Sequence, residues 1–363
     1  MTPIWGLAPA ELETLLEELG EPQYRSDQVL EWAYKRGATN FDEMTNLPSA
    51  LRSKLSERLS LELPSVIRWQ DADDRMTRKA LLELSDGETV ECVLMRYDAR
   101  AGSRGRSTVC VSTQAGCAMG CVFCATGQSG FVRNLTTAEI VAQVMIFLRD
   151  EGPVTNIVFM GMGEPLANYS AMWKAVEIIN DRRCIGIGAR NITISTVGLI
   201  PGIRRLARES LQVNLAVSLH APNDQLRRQL IPTAGQPVAD LVAATRDFFD
   251  ATGRRVSFEY VLIAGVNDSD EQAGQLGDLL SSIPSHVNLI PVNPTPDSSI
   301  QRPSRSRTLA FQRVLKKRGI ACTVRVEKGV EIESACGQLR GIRDGHGRRG
   351  LRRGEIAVAV SSR

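Results

Sequence analysis

From Ser107 onward the chain alternates short apolar segments with amphipathic ones, and this alternation limits the fold more than any other feature. Strands are expected at 108–112, 156–160, 191–195, 213–219, 256–263, 287–290 and 321–326. Helical periodicity fills the gaps at 137–149, 169–180, 199–208, 238–251, 268–282 and 304–317. Thr136 and Glu139 open the first of these with a capping-box signature. Six strand–helix steps predict an α/β fold with a parallel sheet, a partial (β/α)6 TIM-like barrel. Chemistry then belongs at the carboxyl ends of the strands.

The segment ahead of the barrel reads differently. Over 1–65, Pro9 starts a helix with leucines at 12, 15, 16 and 19. Ser26 is expected to cap a second, running to Gly37, and Pro48 opens a third. Over 66–106, extended pieces at 66–70, 78–84 and 89–95 form a β-ribbon with Asp86-Gly87 as its turn. The expected division is a helical domain (1–65), a ribbon linker (66–106), the barrel core (107–326) and a C-terminal segment (327–363).

With 43% hydrophobic and 23% charged residues in 363, a large core can be buried and global disorder is excluded. No apolar run reaches the ~18 residues of a membrane span. The first twenty residues hold Glu11, Glu13, Glu17 and Glu18 and no basic residue, unlike a targeting leader, so a cytoplasmic location is expected. Charge is uneven: net −5 over 1–64 and +11 over 300–363, against +3 for the chain. A basic end suits an anionic partner, of which nucleic acid is the commonest; a solvated basic tail is the plainer reading.

Three of the eight cysteines fall in one loop, Cys117-Ala-Met-Gly-Cys121-Val-Phe-Cys124. Thiolates so close favour zinc or an iron–sulfur centre. Structural zinc normally takes four protein ligands, and no fourth Cys or His follows nearby. A [4Fe–4S] cube held by three cysteines keeps one iron open for an outside ligand. The next strand ends in Gly161-Met-Gly163-Glu164-Pro165, where glycines permit close approach and a carboxylate can accept from an ammonium. Later strands end in Ser195-Thr196, in Ser218-Leu219-His220-Ala221-Pro222-Asn223-Asp224, and in Asn288-Leu-Ile-Pro-Val-Asn293-Pro294.

The C-x3-C-x2-C loop before a βα barrel resembles the radical S-adenosylmethionine superfamily. With Cys110, the strand-end motifs and Ser334-Ala-Cys336-Gly-Gln338-Leu, it resembles the RlmN group of dual-specificity RNA adenine methyltransferases, from the N-terminal helices to about residue 355. The resemblance implies that Cys117, Cys121 and Cys124 bind the cluster. It gives Gly163, Glu164, Ser195, Ser218, Leu219, His220 and Asn293 to S-adenosylmethionine. Cys336 would carry the methyl group, Cys110 would be its disulfide partner, and Glu91 would match the proton acceptor. One departure is that 96–107, between Glu91 and Cys110, is long and rich in Arg and Gly.

The implied activity is methylation of adenosine C2 in 23S ribosomal RNA at the peptidyl transferase centre, and of adenosine 37 in transfer RNA. It would use two S-adenosylmethionine molecules per turnover and an electron donor such as flavodoxin or ferredoxin, with the enzyme a monomer. The route makes chemical sense. C2 of adenine is electron-poor, whereas a cysteine thiolate is a good nucleophile that accepts the methyl first. Arg104, Arg106, Arg133, Arg340, Arg343, Arg348, Arg349, Arg352 and Arg353 are candidates to hold phosphates, and the helical domain is RNA-binding by the same resemblance. The open alternatives are the C8-methylating sister group, a glycyl-radical activase that has no need of Cys336, and a non-catalytic zinc-bound RNA-binding module.

Overall fold

A computed structural model describes residues 1–99, 105–293, 300–325, 329–339 and 341. Arg104 and the tail arginines Arg340, Arg343, Arg348, Arg349, Arg352 and Arg353 lie outside the described residues.

The helical domain holds α1 (Pro9–Glu18), α2 (Arg25–Leu30) and α3 (Ser49–Arg58), with a two-residue parallel pair, β1 (Thr2–Pro3) and β2 (Leu59–Ser60). Ser26 does not cap α2. It lies inside the first turn, buried, with its hydroxyl donating to the Gln23 carbonyl at 2.8 Å. The helix starts two residues earlier than the cap preference suggested, with Tyr24 in the cap position.

The ribbon strands are β3 (Ser65–Asp71), β4 (Thr77–Glu83) and β5 (Thr89–Tyr97). Next come β6 (Arg106–Cys110), a short hairpin of β7 (Gln114–Gly116) and β8 (Phe131–Asn134), and between its arms α4 (Ala125–Gln128). The repeating units follow: α5 (Thr137–Glu151), β9 (Asn156–Phe159), α6 (Tyr169–Asn180), β10 (Ile192–Thr196), α7 (Ile200–Leu206), β11 (Asn214–Ser218), α8 (Asp224–Leu230), α9 (Val238–Thr252), β12 (Val256–Leu262), α10 (Asp270–Leu280), β13 (Ser285–Pro291), α11 (Arg305–Lys317) and β14 (Ala321–Val324). The capping box forms as the spacing predicts: the Thr136 hydroxyl accepts from Glu139 N–H, and Glu139 accepts from Thr136 N–H.

One ten-stranded sheet runs β14-β13-β12-β11-β10-β9-β6-β5-β4-β3. From β6 to β14 every neighbouring pair is parallel, the arc that the alternation predicts. The ribbon continues that sheet, because β5 pairs antiparallel with β6. The ribbon strand that joins the barrel, β5, is buried on both faces, which explains the unbroken buried run Val90–Met95 where a one-sided ribbon would alternate. One face packs on α5, where Trp69 meets Phe147 edge-on. Arg78 and Arg96 both pair with Glu151 at the end of α5.

Among the described residues, one apolar core runs from Ile4 and Trp5 through the barrel to Leu315. Lys174–Glu11 at 2.6 Å and Arg183–Glu13 at 2.7 Å join the helical domain to the α6 side of the barrel. A smaller apolar cluster, with Phe123, Ile231, Ile263 and Ile290, sits at the carboxyl ends of the strands beneath the cysteine loop.

Candidate active site

The cysteine loop leaves β7 through a turn that only glycine tolerates. Gly116 has φ +74, and a Cβ there would lie 1.9 Å from the Gly130 carbonyl oxygen, the acceptor of the Cys117 N–H at 2.9 Å. The far side of the loop rests on α8 and the residues after it: Val122 N–H donates to Leu230 at 3.1 Å, and the Thr233 hydroxyl to the Met119 carbonyl at 2.9 Å.

All three loop cysteines line a cavity that opens to solvent. Gly163, Glu164, Ser195, Ser218, His220 and Asn293 line it too, as does Cys336. Leu219 does not. Its side chain is in the core and its N–H donates to Glu259 at 3.1 Å.

The β9 end is knitted to the start of the loop. Met162 N–H donates to Ser112 Oγ and Glu164 N–H to Gln114 Oε1, both at 2.8 Å. A Cβ on Gly163 (φ +100) would lie 2.6 Å from the Gln114 side chain. The Glu164 carboxylate accepts from Leu166 N–H at 3.0 Å and Val197 N–H at 2.8 Å. On the other side of the same residue, the fully buried Arg227 donates to the Val197 carbonyl. Its Nε and Nη1 have no partner. Val197, at the mouth of β10, is thus gripped between a carboxylate and a guanidinium.

His220 takes a left-handed conformation, φ +60, and its Nδ1 accepts from Val261 N–H at 3.0 Å. Burial, reinforced by Arg227, lowers its pKa to about 3. The ring is therefore neutral with its proton on Nε2. Asn293 donates from Nδ2 to the Cys336 carbonyl at 3.2 Å, while its buried Oδ1 has no partner.

Cys336 also lines a second, adjoining cavity, whose wall includes Cys110, Met95, Tyr97 and Leu339. Strand register explains this. Cys110 pairs with Val93, and Val93 with Lys79, so the three form a row across one sheet face. Glu91, two residues from Val93, points to the same face. Residues 329–339 lie over that face, so the ribbon forms the floor beneath Cys336. Glu91 is buried, ion-paired to Lys79 at 2.9 Å, and is not among the residues lining either cavity.

The Cys336 segment is also pinned to the cysteine loop. Ala125 N–H donates to the Gly337 carbonyl at 2.7 Å, and the Thr126 hydroxyl to the Leu339 carbonyl. Gly337 has φ +85, and a Cβ there would meet Phe123 O at 3.1 Å.

Burial pushes the Cys117 thiol up to about 11 and raises Cys121 and Cys124 as well. Three thiols held this way become good ligands only beside a strong cation. Among the described residues no three His, Cys, Asp or Glu side chains converge on one ion position. Three thiols with no fourth Cys or His beside them in the sequence suit an object with several metal atoms, each taking one thiolate, better than a single zinc, which normally takes four protein ligands. The unpartnered Asn293 Oδ1 is a ready acceptor for a donor on a bound ligand. These residues fit an iron–sulfur cube with an amino-acid-bearing ligand.

Besides Lys79 and Arg227, two more residues were not legible in the sequence. Glu259, buried on β12, accepts from Asn288 at 2.9 Å, and Arg325 lies in the walls of both cavities. Cys336 and Glu259 hold the Arg325 guanidinium charged. A lone carboxylate inside the apolar run 256–262 was the available signal. Arg133 is not free for phosphate: it pairs with Asp86 at 2.5 Å and Glu139 at 2.8 Å. Arg106 stacks on Tyr97 at 4.3 Å.

A radical SAM superfamily model matches residues 111–276, and a ribosomal RNA large subunit methyltransferase N-terminal domain model matches 2–61. "Ribosomal RNA large subunit methyltransferase N" of Nitrosopumilus maritimus is 51% identical, over 94% of this chain and 99% of its own. The chain belongs to the RlmN family. A Roseiflexus castenholzii RlmN-family relative, "Probable dual-specificity RNA methyltransferase RlmN", is 50% identical, over 93% of this chain and 96% of its own. The crystal structure of a radical SAM methyltransferase from Sphaerobacter thermophilus superposes with a TM-score of 0.89 at 50% identity, over 94% of this chain and 99% of that one. Membership of the RlmN family and its radical SAM superfamily carries a [4Fe–4S] cluster and S-adenosylmethionine with it. It also makes this protein a radical SAM RNA methyltransferase. No helix among the described residues is long and apolar enough to cross a membrane.

Proposed function

We propose that this enzyme methylates C2 of adenosine in 23S ribosomal RNA and of adenosine 37 in transfer RNA, with Cys336 as the methyl carrier. The observation that carries the reading is that Cys336 lines both the three-cysteine cavity and the adjoining one that holds Cys110. Cys117, Cys121 and Cys124 would hold the cluster. Gly163, Glu164, Ser195, Ser218, Leu219, His220 and Asn293 would hold S-adenosylmethionine, Leu219 through its backbone. When bound, the cluster and two S-adenosylmethionine molecules per turnover supply a methyl group and, after one-electron cleavage, the carbon radical that removes a hydrogen from it.

The protein's own residues do the rest. The Cys336 sulfur loses its proton and takes the methyl group, and its carbon then bonds to C2. Glu91 takes up the C2 proton. One electron leaves the adduct, Cys110 gives up its proton and attacks the Cys336 sulfur, and the carbon–sulfur bond breaks with its electron pair on carbon. That CH2 takes up a proton to become the methyl on C2 as the disulfide forms. Burial, with Cys336 beside it, pushes Cys110 up to about 12, so Cys110 waits as a thiol until that step. A flavodoxin- or ferredoxin-type donor resets the disulfide. The cytoplasm supplies both the donor and the RNA, and the enzyme acts as a monomer.

Peptide mass analysis of anaerobically purified protein tests the reading: Cys336 should carry one methyl group. An unmodified Cys336 after incubation with cluster, reductant and S-adenosylmethionine would sink it. Product RNA containing 8-methyladenosine alone would transfer the enzyme to the sister group.

A further inference from the structure

A buried lysine on a β-strand needs a reason. Lys79 and Glu91 are 4% and 8% exposed at the side chain and pair at 2.9 Å. Burying both ions is costly, and a pair of apolar residues would fill the space at least as well. What an apolar pair could not do is make the third contact. Lys79 Nζ donates to the Glu333 carbonyl at 3.2 Å, 254 positions away in sequence and three residues before Cys336.

The surroundings show why a tether is needed there. Glu333 has φ +52, a conformation that a non-glycine residue holds only when fixed from outside. The turn before it is tight, with Ser334 N–H and Oγ both donating to the Gly329 carbonyl at 2.9 Å. Beyond Cys336 the segment is fixed by Ala125, Thr126 and Asn293. On the near side, the exposed Glu331 carboxylate accepts from Asp73 N–H at 3.3 Å, and the buried charged anchor is the Lys79 ammonium, which rises from the row that contains Val93 and Cys110.

We propose that Lys79 is a positioning residue that tethers the Cys336 segment to the ribbon, with Glu91 as its counter-ion. Its consequence for turnover rests on the reading of Cys336 as methyl carrier; the tether itself does not. The same ammonium links the expected proton acceptor to the backbone of the expected methyl carrier. Movement of the segment toward RNA and a change of charge on Glu91 are therefore felt by one group.

Hydrogen–deuterium exchange of residues 329–339 in the holoenzyme tests this. Lys79→Met should exchange there about tenfold faster or more, the loss expected for one charge-assisted hydrogen bond. Lys79→Arg should match wild type, because it still donates to both partners. Lys79→Met with Glu91→Gln removes the unpaired buried charge and should stay fast, since the contact to Glu333 is still missing. In turnover, Lys79→Met should lose kcat with little change in the KM for RNA.

Unchanged exchange in Lys79→Met overturns the proposal. So does return to slow exchange in the double variant, which would mean that charge balance alone matters. Acceleration spread equally over the barrel strands overturns it as well, as general unfolding. The failure of wild-type Cys336 to become methylated would instead strike the functional reading and leave the exchange result standing.

Discussion

His220 shows how one residue can be committed by its surroundings. Its left-handed backbone and the Val261 N–H fix the ring's place and its proton. Because its native pKa is lowered to about 3, the unfolded chain binds a proton near pH 6.5 that the native state refuses. Stability from this group is lost as pH falls below about 6.5, by up to about 1.4 kcal/mol per pH unit toward pH 3. Urea melts between pH 4 and 7 should show a shallower slope in His220→Asn, since asparagine tolerates the left-handed region. At the mouth of β10, Arg227→Met removes a buried positive charge near Cys121 and leaves the Val197 carbonyl without its donor. The reconstituted cluster should become harder to reduce by tens of millivolts, about 59 mV being a tenfold change for one electron. A redox titration followed by electron paramagnetic resonance reads this. Gly163→Ala should lose S-adenosylmethionine binding, seen by calorimetry, because its Cβ strikes Gln114 and its φ of +100 is strained.

Elements whose signals are local could be read from the sequence. The Asp86-Gly87 turn forms with Gly87 at φ +82, and the α5 capping box forms as spaced. Thr136→Ala should cost about 1 kcal/mol in thermal or urea melts. The β7–β8 hairpin was not legible, because three and four residues leave no periodicity to detect. Helix α8 has only seven residues, although Asn223 caps it by accepting from Leu226 N–H at 3.0 Å. The three cysteines and the strand-end motifs stood out because each is contiguous. Lys79, Arg227, Glu259 and Arg325 did not, because their partners are distant in sequence. Only Glu259 left a trace, as a charged residue set in an apolar strand. The ribbon looked like a separate linker because β5–β6 pairing depends on shared burial rather than on any local pattern.

On the scale of the whole molecule, the helical domain and the barrel share one core. Trp5 is buried, donates to the Glu62 carbonyl at 2.9 Å, meets Tyr34 edge-on at 5.3 Å and lies under Arg149 from α5. Trp5→Ala should cost about 3–5 kcal/mol and still give one denaturation transition rather than two, because no boundary divides the core. The parallel arc does not close on itself, since β14 ends the sheet on one side and the ribbon on the other. Residues 329–339 lie on the ribbon face and join Lys79 on β4 to α4. In the proposed reaction the partition and the courier are then one piece of chain. Cys336 sits in a wall shared by the two cavities, so moving it toward an RNA would open both at once.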